Sequence, residues 1–276
     1  MELIKKQIHM NQWKGNVTTQ ITLDDDFIVP DTMDDMEQVM LDTGEIQIET
    51  VKNQGDKVAV QGKLEFQVLY RRETGGLQTL GGNIPFEEVV NVPGLEEKDY
   101  VGLNWMLEDL NTDMINSRKL GVQAIITLQV RVETLRDVEA AVDVNLETGS
   151  RGAGPGLSDT DASGQVQVET LKRTADAAAI AVRRKDTYRI KEELSLTGGK
   201  PNIGQLLWRE MKLRDVTAKP LDGRLHLDGE LSVFVIYSAE DENMPMQWLE
   251  ETMPFSGDMD MSDVKEEQIP MVTIRL

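Results

Sequence analysis

The stretch that most constrains what this chain can fold into is Val58–Tyr70, VAVQGKLEFQVLY. Val58, Val60, Leu64, Phe66, Val68 and Tyr70 share one parity, and Gln61, Lys63, Glu65 and Gln67 share the other. Side chains of a strand point alternately to opposite faces, so this is a half-buried antiparallel strand with one apolar and one wet side. The same device returns as Leu225–Tyr237, LHLDGELSVFVIY, with Gly229 at the place of Gly62 and Tyr237 at the place of Tyr70. Two copies of one device predict a tandem repeat of a single β module.

Setting Ile21 opposite Tyr188 aligns the two halves without a gap as far as Tyr70 and Tyr237. A two-residue insertion then brings Pro85–Phe86 onto Pro254–Phe255. Seven of the fifty gapless pairs are identical (Gln38/Gln205, Thr50/Thr217, Lys52/Lys219, Gly62/Gly229, Leu64/Leu231, Val68/Val235, Tyr70/Tyr237), so shared apolar phase, not identity, carries the repeat. The expected fold is mostly β, with two tandem antiparallel sandwich-like modules, each holding one short helix. That helix is placed at Asp34–Leu41, where Met36, Val39 and Met40 fall at helical spacing behind acidic residues, with Gly44 as its stop. It recurs at Ile203–Trp208.

The first module is expected over residues 1–147, a Gly/Ser/Asp-rich linker or loop over 148–164 and the second module over 165–276. Trp13 is expected to pack on the sheet, and Pro85 to lie at an edge or bulge because proline cannot donate to a ladder. Leu120, Val122, Ala124, Ile126, Leu128, Val130 and Val132 alternate without a break and form the longest predicted strand. In the alignment Leu276 stands opposite Leu107, so the second copy has no counterpart of that strand. A sheet without it exposes an unpaired edge and the apolar face beneath. Two explanations stand: the sequence is a piece of a longer protein, or another subunit supplies the strand by complementation.

Chemistry is scarce. Lys and Arg number 29 against 49 Asp and Glu, and the net charge of −20 repels nucleic acid and anionic bilayers. With no cysteine there are no disulfides and no thiolate sites. No apolar run of about 18 residues occurs and the N-terminus has no signal-peptide core, so a cytoplasmic protein without membrane insertion is expected. His9 and His226 are the only histidines, and His226, beside Asp228 on the outward phase, reads as a solvated pair. Asp24–Asp26 and the set Asp258, Asp260 and Asp263 lack calcium-loop spacing, and the glycine-rich segment lacks a P-loop ending. The expectation is therefore no enzyme, no cofactor, and no catalytic, cofactor-binding or metal residues. Leu249–Phe255 is the first candidate interface, set against its reading as a core hairpin.

Three stretches carry a family resemblance: FIVPDTMDDMEQVML (Phe27–Leu41), the strand end Val68-Leu69-Tyr70 followed by Ile84-Pro85-Phe86, and Ile115-Asn116-Ser117-Arg118-Lys119-Leu120. With Lys200-Pro201-Asn202-Ile203 and Met253-Pro254-Phe255 in the second half, the chain resembles the SPOCS domain of the SipL family of clostridial-type endospore formers. The resemblance implies a non-enzymatic role in spore-coat morphogenesis in the mother cell, around the forespore. In that family tandem domains are followed by a LysM module that engages the coat ATPase SpoIVA. These residues contain no such module, which fits an N-terminal portion, and no binding residue carries over. The expected function is a scaffold or adaptor contacting spore-coat morphogenetic proteins. The alternatives are a self-assembling homo-oligomer using strand complementation, and an acidic carbohydrate-binding module or unrecognised enzyme.

Overall fold

The computed structural model describes residues 2–145, 180–196, 198–240 and 246–276. The expected linker at 148–164 lies outside the described residues. The strands are β1 (Glu2–Ile28), β2 (Met36–Asn53), β3 (Lys57–Arg72), β4 (Leu77–Asn91), β5 (Tyr100–Asn116), β6 (Lys119–Asn145), β7 (Ile203–Leu221), β8 (Arg224–Ala239) and β9 (Gln247–Asp260). They form three antiparallel sheets in the orders β1-β6-β5, β2-β3-β4 and β7-β8-β9, so the chain is mostly β.

Two compact units emerge, one of Met1–Gln12 with Thr134–Ile180 and one of Trp13–Glu133 with Ala181–Leu276. In the first, the outer ends of β1 and β6 are tied by Lys5 to Glu139 at 3.0 Å and by His9 Nδ1 to Asp137 at 2.5 Å. Leu3, Leu135 and Val142 there remain exposed. The second unit contains both copies of the repeat and the apolar core.

In the first repeat the β2-β3-β4 sheet lays its apolar face on β6. Val58, Val60, Leu64, Val68 and Tyr70 of β3 are fully buried, as are Leu120, Val122, Ile126, Leu128 and Val130 of β6. The edge strands β2 and β5 meet at one corner, where Trp105 Nε1 donates to the Ile46 carbonyl (3.2 Å) and Thr112 Oγ1 to Asp42 (2.8 Å). Gly44, expected to stop a helix, instead lies inside β2: a Cβ there would sit 3.0 Å from both Leu107 Cδ2 and Leu64 Cδ1. Its missing side chain lets β5 close over β2.

The expected helices are absent from the described residues, and both segments are strands with bulges. Glu37 and Met40 are skipped in the β2/β3 register, which pairs Met36 with Arg72, Gln38 with Arg71, Val39 with Tyr70 and Leu41 with Leu69. Each bulge inserts one residue and slips the alternation by one. Met36 and Val39, three apart, therefore both turn inward, which imitates helical spacing. The second expected helix fails for the same reason, since Gly204 and Leu207 are skipped in β7/β8 at the aligned positions. A third bulge also recurs, at Glu49 and at Asp215–Val216, where Asp215 takes a φ of 50°. Trp13 does not pack on the sheet either; it is exposed, with the Arg131 guanidinium 4.3 Å from its ring centre.

Two further devices are duplicated. Gly62 pairs with Phe86 and Gly229 with Phe255, and in each case the Phe ring covers the glycine so closely that a Cβ would lie under 3 Å from it. Pro85 and Pro254 are the next residues on the edge strands β4 and β9. The buried Tyr70 hydroxyl donates to the Asp34 carbonyl (3.1 Å), and the buried Tyr237 hydroxyl to that of Pro201 (3.2 Å), again aligned positions.

Candidate functional site

At one end of the first repeat the residues before β2 and those between β5 and β6 converge. Arg118 donates through Nη1 to the Met33 carbonyl (2.8 Å) and Asp35 (2.9 Å), and through Nη2 to the Val29 carbonyl (2.9 Å) and Asp31 (3.1 Å). Ser117 Oγ donates to the other oxygen of Asp35 (3.0 Å), and Arg72 and Thr74 hold Asp34. The Arg118 guanidinium, and after it the Ser117 hydroxyl, hold the Asp35 carboxyl below the usual carboxylate range. This is a structural clamp. The Arg118 guanidinium spends its donors on backbone carbonyls and on the carboxylates of Asp31 and Asp35.

The second repeat differs at the matching place. Met36 is fully buried, whereas its counterpart Ile203 is 45% exposed; Val39 is half-buried, whereas Leu206 is 49% exposed. Leu64 and Val68 are fully buried, whereas Leu231 and Val235 are only half-buried. What covers this face in the first repeat is β6, flanked in its sheet by β1 and β5. The counterparts of β1 and β5 are described, as residues 181–196 and 269–276, but in no ladder. Tyr188 reaches the Ser256 carbonyl (3.2 Å) and Arg275 stacks 3.6 Å over Trp105, while Ile269 and Met271 point into solvent. No strand among the described residues fills the position between them.

The sequence of the SipL SPOCS domain matches residues 35–115 and 202–276, more than half of the chain. The chain belongs to the SipL SPOCS domain family. A sporulation-related role follows from that membership. The two SPOCS matches start at aligned residues, Asp35 and Asn202, whose carbonyls accept equivalent bonds from the Glu73 and Glu240 amides. No curated protein and no solved structure matches.

Outside these SPOCS signatures the sequence candidates have ordinary partners. His226 is paired opposite Asp258 in the ladder, with Nδ1 2.5 Å from Asp258 and Nε2 3.1 Å from Asp228. Ser256 Oγ stands 3.4 Å from the same Nε2, an outline of a Ser-His-Asp arrangement that sequence reading missed because Ser256 lies on another strand. The electrostatics oppose it. Asp258 and then Asp228 raise the imidazole pKa above its usual value, which favours the ring as a protonated donor to two carboxylates over a base for serine. Asp24 accepts from Gln123 (3.2 Å), Asp26 pairs with Lys119 (2.5 Å), and the Asp260 carbonyl accepts from Arg184 (3.0 Å). Among the described residues no group of three His, Cys, Asp or Glu side chains is placed to hold a metal ion. No helix is long and apolar enough to cross a membrane. Within Leu249–Phe255, Leu249 is buried and Met253 and Phe255 half-buried on the inner face of β9, the arrangement of a core hairpin.

Proposed function

We propose that the chain is a non-enzymatic scaffold or adaptor in spore-coat assembly, acting in the mother cell at the forespore surface through protein–protein contacts. The observation that supports this reading is the incompletely covered inner face of the second SPOCS copy, where Ile203 and Leu206 are exposed and Leu231 and Val235 only half-buried, while Met36, Leu64 and Val68 at the matching places of the first are fully buried. Such a face fits an extended segment with an apolar side chain at every second position, added between the flanking segments 181–196 and 269–276. Spore-coat morphogenetic proteins are its natural source, and SpoIVA engagement through a LysM module would lie outside these residues. Self-assembly through the same edge is the second reading. It is favoured by the exposed apolar side chains of Ile269, Met271 and Leu276.

A synthetic peptide with the Lys119–Glu133 sequence tests both readings by calorimetry and hydrogen exchange on the whole chain. One peptide should bind per chain and slow exchange of the 269–276 amides, while a peptide of equal composition with broken alternation should not. Absence of binding, or equal binding of the two peptides, overturns the scaffold surface. If the chain forms oligomers that the peptide dissolves, the self-assembly reading stands; oligomers indifferent to peptide remove it.

A further inference from the structure

We propose that copies of this chain join head to tail, with the Met40–Leu41 edge of one copy docking on the outer sheet face around Trp248 of the next. This contact would repeat between chains the joint that already links the two SPOCS copies within one chain. It uses the face opposite to the uncovered one described above and goes beyond the adaptor reading.

The internal joint has a donor and an acceptor half. The donor is the bulged Leu207 with Trp208, both buried on β7 although that strand is a sheet edge. The acceptor is Leu69 with Leu77 beside it, and Thr79 Oγ1 donates to the Leu207 carbonyl. Because the repeat is a repeat, each copy carries both halves. The counterparts of Leu207 and Trp208 are Met40 and Leu41, which are exposed, and Met40 is the bulged residue as Leu207 is. The counterparts of Leu69, Leu77 and Thr79 are Ile236, Met246 and Trp248, of which Met246 is 53% and Trp248 57% exposed. One used pair therefore leaves a second donor exposed and a second acceptor whose Met246 and Trp248 are exposed, although Ile236 already packs against the internal joint and Lys200 Nζ stands 5.0 Å over the Trp248 ring.

The unused halves fit each other by size and by charge. Ladder register sets Leu41, Leu69 and Thr79 in one row and Trp208, Ile236 and Trp248 in the matching row. In the internal joint the donor with the large Trp208 packs on Leu69, and the small Thr79 donates to the Leu207 carbonyl. Between copies a small donor, Leu41, would meet a large acceptor, Trp248. Either way one indole fills the contact. The residue after the donor changes from Arg209 to Asp42, while further along the strand that flanks the acceptor Glu45 and Gln47 change to Lys212, which pairs with Glu210, and Arg214. A cleft is lined by Gln67, Gly81 and Leu206–Arg209, and the second copy has an open cleft at the aligned Phe234 and Glu250, lined also by Glu210, Lys212 and Arg214. A contact between different patches does not close on itself as a two-fold pair does, so it builds linear chains.

The test is sedimentation of the whole chain across a wide concentration range, with Met40→Asp as the donor-blocked variant and Trp248→Ser as the acceptor-blocked one. Both residues are exposed, and near-ultraviolet circular dichroism checks that each variant is folded; Leu41→Asp with Met246→Asp forms a second pair. The unmodified chain should grow continuously in mass with concentration, and each variant alone should associate at least tenfold more weakly. An equimolar mixture of the two variants should stop at a one-to-one pair, since one supplies the intact donor and the other the intact acceptor. A chain that stays monomeric, variants that assemble as the parent does, or a mixture that never pairs would each overturn the head-to-tail joint. Because these residues lie away from Leu231 and Val235, failure here leaves the peptide result on the inner face untouched.

Discussion

Tyr70 and Tyr237 show how single residues fix this fold. Each buries its ring in the core and sends its hydroxyl to a carbonyl just ahead of the first strand of its repeat. That bond pins the chain entry, and burial pushes the Tyr70 hydroxyl pKa further up, so it remains a donor at any physiological pH. Tyr70→Phe should cost about 1 kcal/mol in urea unfolding, the usual worth of one such bond. Asp35 and His226 set opposite pH limits. The folded Asp35 pKa is lowered by Arg118 and Ser117, so its stabilisation is present above the ordinary carboxylate range and is lost as pH falls through the folded value. The folded His226 pKa is raised by Asp258 and Asp228, so its contribution is complete below the ordinary imidazole value near 6.5 and is lost as pH rises through the folded one. His226→Gln should lower the melting temperature below the ordinary imidazole value near 6.5, where these ion pairs are complete, and leave it unchanged at the alkaline end, so the fall in stability through the folded His226 value disappears. An equal loss at the alkaline end would show that the ion pairs of His226 are not what titrates.

At the scale of elements, the bulges and the missing cover matter most. Bulges at aligned places in β2 and β7 turn the strand entrance so that apolar residues three apart both face the core, and this explains why periodicity there suggested a helix. Alternation in β3, β6 and β8 was legible because those strands run without a bulge and each has a definite inner face. Gly44 and the Gly62–Phe86 pair were legible as glycines but not in their roles, which depend on β5 and β4 arriving over them. The same β3 and β8 positions should respond unequally to truncation. Leu64→Ala removes a fully buried side chain and should cost roughly 2–5 kcal/mol. Leu231→Ala, at the aligned but half-covered place, should cost less than half as much. Equal losses in denaturant titrations would mean that the inner face of the second copy is sealed in solution.

For the whole molecule, the amino-acid order by itself determined the β class, the duplication, the family signatures and the scarcity of reactive groups. These follow from alternation, from a repeated apolar phase and from residue counts, none of which requires knowing what touches what. Tertiary structure alone decided the bulges, the clamp on Asp35, the meeting of His226 with Ser256 and the joint of Leu207 and Trp208 on Leu69. Each joins residues distant in sequence, and strand register, a property of paired chains, selects which of them meet. It also decided that aligned residues with one apolar phase have different surroundings in the two copies, since burial depends on whether a strand such as β6 lies above them.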